Sequence, residues 1–234
     1  PYIFDLDLDE LSAIVSAWGQ PSYRAEQIWQ GLYQSLWPDL NDFSPLPKDM
    51  RKRLAEDFEF SHLALARKRE SSDGRTQKAL FHLPDGHPIE TVHMQYRRRE
   101  TLCISSQSGC AIGCSFCATG QMGLRRDLSS GEIVEQVIHY ARILHGEGKR
   151  ITNVVVMGMG EPLLNYDATL EAIHRLNHPE GMNLGARRFT ISTVGIVPGI
   201  RRFAQEDLQA NLAISLHAAD DVLRSSLIPI NRTY

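Results

Sequence analysis

Apolar positions along the first sixty residues recur at helical spacing. Leu8, Leu11, Ile14 and Val15 form one stripe that Gly19 and Pro21 end. Ala25, Ile28, Leu32 and Leu36 form a second, with Ser22 as its expected N-cap and Pro38 as its stop. After Pro47, Met50, Leu54 and Phe58 share a face while Lys48, Arg51, Lys52 and Arg53 point outward. The period then shortens. Residues 78–83 and 89–96 read as two strands of a hairpin around Pro84-Asp85-Gly86, where a fixed φ and a flexible glycine suit a tight turn. From residue 101 strands and helices alternate. Strands are expected at 101–108, 151–157, 188–194 and 211–216, and helices at 129–145, around Leu170 and Ile173, at 200–203 and at 222–227. Ser129 and Glu132 have the spacing of a capping box, and 151–157 is a β-branched run of the kind buried on both faces of a parallel sheet.

Successive βα units build either an open wound sheet or a barrel, and the pattern alone does not choose between them. Four units cannot close a barrel. A further element is expected after Pro229-Ile230-Asn231, and Pro1 stands where an initiator Met would, so the sequence reads as part of a longer polypeptide. The organisation expected is a helical accessory module at 1–75, a hairpin extension at 76–98 and an α/β unit at 99–234.

Composition narrows the class. Of 234 residues 42% are hydrophobic and 23% charged, which excludes a disordered or fibrous chain, and no apolar run approaches the ~18 to 20 residues of a membrane-spanning helix. Residues 1–10 are acidic and polar, unlike a secretory signal, so a soluble cytoplasmic protein is expected. With 25 Lys and Arg against 28 Asp and Glu, the net charge of -3 is not that of a polycation, and any nucleic-acid site must be a local patch.

All four cysteines, at 103, 110, 114 and 117, fall within one short segment. One such segment cannot staple a chain of this length, and the cytosol keeps thiols reduced, so a metal is the better reading. Cys110-Ala-Ile-Gly-Cys114-Ser-Phe-Cys117 follows the first strand of the alternating region, in the loop position that carries chemistry in α/β folds. Three thiolates so spaced can wrap one inorganic core and leave a metal position open, with Gly109 and Gly113 letting the backbone bend around it. A structural zinc held by all four cysteines stays open as the alternative. Cys103 shares a strand face with Thr101 and Ser105, suited either to meeting a substrate or to core packing. Gly158-Met159-Gly160-Glu161-Pro162 follows the buried strand without the Lys-Ser/Thr of a phosphate loop, and its carboxylate suits a cationic ligand better than a phosphate.

The cysteine triad together with the Gly-Met-Gly-Glu-Pro loop resembles the radical S-adenosylmethionine enzymes. The wording around them narrows this further. Thr101-Leu-Cys-Ile-Ser-Ser-Gln-Ser-Gly-Cys110, Cys117-Ala-Thr-Gly120, Val156-Met-Gly-Met-Gly-Glu-Pro-Leu-Leu-Asn165, Ser192-Thr-Val-Gly195, Ser215-Leu-His217 and Pro229-Ile-Asn231 resemble the RlmN family of dual-specificity RNA methyltransferases, as do Tyr23-Arg-Ala25 and Leu46-Pro47. The resemblance implies a partial (βα)6 TIM-like barrel with about four βα units present. It implies that Cys110, Cys114 and Cys117 hold a [4Fe-4S] cluster, that the free iron chelates S-adenosylmethionine, and that Gly160, Glu161, Ser192, Ser215, Leu216 and His217 contact that cofactor. It makes Glu90 the base that accepts a proton during methyl installation and Cys103 the thiol that resolves a protein-RNA adduct through a transient disulfide. The second cysteine of that scheme lies beyond Tyr234 in the family, so this chain alone is expected not to turn over.

The same resemblance implies methylation of adenine C2 in 23S rRNA and tRNA, an electron donor such as flavodoxin, and a monomer. The alternatives are the sister family that methylates adenine C8, and a zinc-stabilised RNA-binding module without catalysis. Basic clusters at 48–53, 67–69, 97–99, 125–126, 187–188 and 201–202 are expected to form an RNA-gripping surface near the barrel mouth.

Overall fold

The computed structural model describes residues 1–234. Three helices open the chain: α1 (Leu8–Ala17), α2 (Tyr23–Tyr33) and α3 (Lys48–Asp57). The Asp7 carboxylate accepts the Glu10 amide while Glu10 accepts the Asp7 amide, so α1 starts with its orphan donors satisfied locally. Two expectations for α2 fail. Ser22 has a helical backbone and makes no side-chain cap bond. The helix also ends at Tyr33 rather than running through Leu36 to Pro38: the Ser35 amide turns back to the Gln30 carbonyl and the Trp37 amide to Gly31, and Leu36 takes a φ of +56°. Trp37 then packs edge-on against Phe43 at 4.9 Å, so aromatic packing reverses the chain before the proline is reached.

Residues 64–70, read as part of the helical module, form a strand instead. This is β1 (Ala64–Glu70), exposed at all seven positions, and its sequence carries no alternation because neither face is buried. It pairs antiparallel with β2 (Thr76–His82), which pairs with β3 (Pro88–Tyr96) across the expected Pro84-Asp85-Gly86 turn. β3 in turn pairs with β4 (Arg99–Ile104), so the hairpin is continuous with the main sheet rather than an appendage. Next come β5 (Gln107–Ser108), α4 (Ala118–Gln121), β6 (Arg126–Asp127), α5 (Ser130–Gly146), β7 (Asn153–Val156), α6 (Tyr166–Asn177), β8 (Phe189–Thr193), α7 (Val197–Phe203), β9 (Asn211–Ile214) and α8 (Asp221–Leu227). The main sheet has seven strands in the order β1-β2-β3-β4-β7-β8-β9, and β4, β7, β8 and β9 run parallel. Each parallel strand leads on to a helix, giving four βα units of a partial barrel as expected.

Strand alternation divides the sheet into two unlike faces. Ile89, Thr91, Leu102, Ile104, Val154, Val156, Phe189 and Ile191 are buried beneath helices. The Gln136 side chain of α5 fixes that packing: its oxygen accepts from the Thr91 hydroxyl at 2.9 Å and the Ser105 amide at 2.8 Å, and its nitrogen donates to the Ser105 carbonyl. The opposite face carries Glu90, Val92, Cys103, Val155, Thr190 and Ser192, all half-buried.

Two buried charges dock the helical module onto the α/β unit. Glu135 of α5 accepts from the Tyr2 hydroxyl, from Ser61 Oγ and from the His62 amide. Arg175 of α6 reaches the Phe4 and Asp5 carbonyls and Ser130 Oγ. Replacing Arg175 with Ala leaves two carbonyls buried without donors, so Arg175→Ala is expected to lose about 3 kcal/mol of stability. Thermal and urea unfolding check this, with Arg175→Lys falling between the two.

Candidate cofactor site

The parallel strands deliver their loops to one end of the sheet, and a pocket of 300 Å³ forms there. Cys110, Cys114 and Cys117 line one side of it. Gly158, Gly160, Glu161, Ser192, Ser215 and His217 line the other. Leu216, expected among the cofactor contacts, is more than half exposed and lies off the pocket, its carbonyl held by Arg224 at 3.1 Å.

The cysteine loop leaves β4 through Gln107-Ser108 of β5, which pairs with β6 beyond the loop. Gly109 sits at that exit with a φ of +76°, and a Cβ there would lie 1.9 Å from the Gly123 carbonyl oxygen. The two arms of the loop therefore touch through glycine backbone. Burial of Cys110 and Cys114 pushes both thiols up, and the neighbouring cysteines and Glu161 add to the effect. A cationic metal core reverses that cost, because it binds the thiolates directly. No three His, Cys, Asp or Glu side chains converge closely enough to share one metal ion. In a polynuclear iron-sulfur core each sulfur takes a separate metal atom, so three thiols spread around a cavity fit it. A four-cysteine zinc does not fit, since Cys103 is absent from the pocket lining.

Glu161 is 2% exposed, and its carboxylate accepts the Val194 amide at 2.9 Å and the Leu163 amide at 3.1 Å. Its own amide donates to Gln107 Oε1 at 2.8 Å. Its charge thus ties three strand ends together, and burial pushes its carboxyl up against those hydrogen bonds. The glycine before it has a structural task too. Gly160 has a φ of +106°, and a Cβ there would meet Gln107 and Ser106 at 2.7 Å. The close backbone approach expected toward a ligand is made to the neighbouring strand's exit.

On the far wall Ser192 Oγ and Ser215 Oγ lie 3.0 Å apart, and the His217 ring packs against Phe116, tilted by 51° with centroids 4.6 Å apart. His217 has a φ of +61°, a strained position for a side chain and one that over-determined functional loops tolerate. Arg224 holds this wall from α8, donating to the Leu216 and Val194 carbonyls and to Asn231. Arg224 and Gln107 carry no signal in the sequence, because each acts on backbone groups brought near only by folding.

Cys103 lies mid-strand on β4 opposite Val92, on the same half-buried face as Glu90 and Ser192. Burial pushes its thiol up to about 11, and the nearby Met157 backbone at the pocket wall offsets part of that rise. Glu90 is gripped by Lys78 Nζ at 2.8 Å from each carboxylate oxygen.

Two of the basic clusters lie away from this end, contrary to expectation. The turn at 97–98 and residues 187–188 precede parallel strands and so lie at the opposite pole. Arg126 and Arg202, by contrast, are tied up by Asp85 with Glu132 and by Asp167.

Two outcomes follow from this geometry. Gly160→Ala is expected to lose about 3 kcal/mol through a strained φ and a backbone clash, and to bind S-adenosylmethionine at least tenfold more weakly, read by thermal unfolding and equilibrium dialysis. Because burial raises the Cys103 thiol, it is protonated at neutral pH, and its alkylation by iodoacetamide should rise with pH toward about 11 rather than level off near 9. Peptide-resolved mass spectrometry measures that profile.

Residues 104–233 match the Radical SAM superfamily, and residues 2–60 match the Ribosomal RNA large subunit methyltransferase N-terminal domain. A probable dual-specificity RNA methyltransferase RlmN of Chloroflexus aurantiacus is 50% identical over 99% of this chain and 63% of its own length. Its counterpart in Dictyoglomus thermophilum is 47% identical over 99% of this chain and 66% of its own. That of a Roseiflexus species is 43% identical over 100% of this chain and 68% of its own. The crystal structure of a radical SAM methyltransferase from Sphaerobacter thermophilus superposes with a TM-score of 0.97 at 50% identity, over 100% of this chain and 68% of that one. The chain thus spans about two thirds of the length of the curated relatives it matches. With three thiols, the Gly-Met-Gly-Glu-Pro loop and the serine wall around one pocket, and with these matches over its whole length, the chain belongs to the radical SAM superfamily and, within it, to the RlmN family, whose cofactors are a [4Fe-4S] cluster and S-adenosylmethionine.

Proposed function

We propose that this chain carries the cofactor-binding part of an RNA methyltransferase that places a methyl group on C2 of adenine in 23S rRNA and in tRNA. The observation that carries the reading is the placement of Cys103 and Glu90. A thiol outside the pocket lining pairs in register with Val155 of β7, next to Val156 and Met157 of the pocket wall, and a carboxylate shares its sheet face. A purely metal-binding or structural module has no use for that pair.

Adenine C2 is electron-poor and lacks nucleophilic character, so polar transfer from a sulfonium is closed to it. The cluster, when bound, supplies the electron that cleaves S-adenosylmethionine reductively and so opens radical chemistry. The residues of the chain then have distinct tasks. Cys110, Cys114 and Cys117 hold the cluster and leave one corner open to the cofactor. The Gly160 backbone, Glu161, Ser192, Ser215 and His217 orient the cofactor against the pocket wall. Glu90 accepts the proton leaving adenine C2, and Cys103 Sγ bonds to the sulfur of the second cysteine beyond Tyr234, forming a disulfide as that sulfur's bond to the base-bound carbon breaks and the carbon takes up a proton to become the methyl group.

The target adenine must leave its stack to reach the pocket, an extrusion that costs a few kcal/mol. The helical module offers a 650 Å³ groove lined by Lys48, Arg51, Lys52 and Phe60, a mix of cations and an aromatic ring that suits an RNA strand. The electrons come from a low-potential donor such as flavodoxin, and the enzyme works as a monomer in the cytoplasm. No helix is long and apolar enough to cross a membrane.

The test uses the full-length protein, reconstituted without oxygen. Cys103→Ala is expected to keep the iron and sulfide of the wild type while accumulating a covalent RNA adduct and releasing no methylated adenosine. Cys114→Ala should lose the cluster itself. Free 2-methyladenosine formed by Cys103→Ala at the wild-type rate would overturn the assignment.

A further inference from the structure

Arginines at the two ends of the sheet differ in how they are used. At the cysteine end Arg126, Arg202 and Arg224 are bound by carboxylates, an amide oxygen or carbonyls. At the other end Arg97, Arg98, Arg99, Arg150, Arg187 and Arg188 are all exposed, and none is paired with a carboxylate.

These six form a row along neighbouring strand openings. Arg97 to Arg99 turn from β3 into β4, Arg150 precedes β7, and Arg187 and Arg188 precede β8, in the spatial order of the sheet. The Thr152 amide donates to the Glu100 carbonyl at 2.9 Å, joining the first opening to the second. Arg150 and Arg188 line one cavity of 220 Å³, and Arg187 and Arg188 line the adjoining one of 400 Å³. The acidic groups of this pole are mostly occupied. Glu100 is buried against His93 at 2.7 Å, Glu147 is held by Lys149 at 2.8 Å, and Asp207 alone faces the row from the larger cavity. Half-exposed Tyr96 adds an aromatic face, with the Arg99 guanidinium 5.2 Å from its ring centre.

We propose that this arginine row is a second RNA-docking surface, which takes the phosphodiester backbone of a helical segment remote from the target adenine. The inference rests on the RNA-methyltransferase reading and extends it to the size of the substrate. Guanidinium forks match phosphate oxygens in pairs, and six exposed guanidinia without a carboxylate partner, of which only Arg187 has a side-chain hydrogen bond, to Gln209 at 3.0 Å, make a local positive row suited to a polyanion on a chain of net charge -3. β4 is six residues long, which puts the row about 20 Å from the strand ends that open onto the pocket. Reaching the row takes several nucleotides beyond the target adenine, and a folded RNA with a flanking stem presents them as an ordered row of phosphates.

The test compares two RNAs on the full-length protein by fluorescence anisotropy over a range of KCl: a minimal hairpin bearing the target adenosine, and the same hairpin extended by a flanking duplex. Triple substitution of Arg150, Arg187 and Arg188 by Ala is expected to weaken binding of the extended RNA about 10- to 100-fold and to lower its salt slope by about 2 to 3. Minimal-hairpin affinity and S-adenosylmethionine binding should stay at wild-type levels, and the triple Lys variant should keep most of the slope. Equal loss on both RNAs, or no loss on either, overturns the proposal. Unchanged RNA binding with weakened binding of an acidic flavodoxin assigns the row to a protein instead and also overturns it. A wild-type protein that binds neither RNA brings down the underlying RNA reading, a result distinguishable from the others.

Discussion

A single buried carboxylate holds the pocket together. Glu161 sits in the loop after β7, takes the amide that follows β8, and through its own amide engages Gln107 beyond β4. Three strand ends that could splay apart are thereby locked into one rim, and thiols, glycine backbone and serine hydroxyls come to face a common cavity. A buried anion is expensive unless its oxygens are satisfied, and here the amides of Leu163 and Val194 satisfy them. The same hydrogen bonds that make the charge tolerable fix the loops.

The register of the sheet then separates two kinds of chemistry. Even spacing along β4 sends Leu102 and Ile104 into the helical core and Cys103 to the opposite face, where β3 supplies Glu90 and β8 supplies Ser192. The three pocket thiols come from the loop and Cys103 from the strand, so Cys103 stays out of the pocket lining while pairing in register with Val155, next to Val156 and Met157 of its wall. The radical SAM fold gives a place for one cluster and one cofactor; the strand-borne Cys103 and Glu90 set this chain's proposed chemistry apart from the superfamily at large.

Charge is distributed with similar economy. Arginines near the cofactor are consumed in structural bonds: Arg224 clamps two loops and Arg126 braces Glu132 at the start of α5. Loose guanidinia gather at the other pole, where they cannot disturb a site built for a cationic nucleotide. The near-neutral sum over the chain conceals this polarity, since a composition adds charges without regard to position.

Much of the architecture could be read along the chain because short-range physics writes it there. The capping box at Ser129 and Glu132, the β-branched run into β7 and the Pro84-Asp85-Gly86 turn are local preferences, and the four βα units follow from them. The cysteine spacing likewise pointed to one loop, since three thiols within eight residues stay neighbours around one cavity whatever lies elsewhere. Other features depended on contacts between distant residues. β1 carries no periodicity because it is exposed on both faces and exists only through pairing with β2. The end of α2 was misplaced because Trp37 and Phe43 close it by packing, and the clusters at 97–99 and 187–188 were misplaced because strand direction, invisible in a list of arginines, decides to which pole each belongs. Local chemistry is encoded residue by residue, whereas which groups share a cavity or a pole depends on sheet order and hydrogen bonds that close only when distant segments meet.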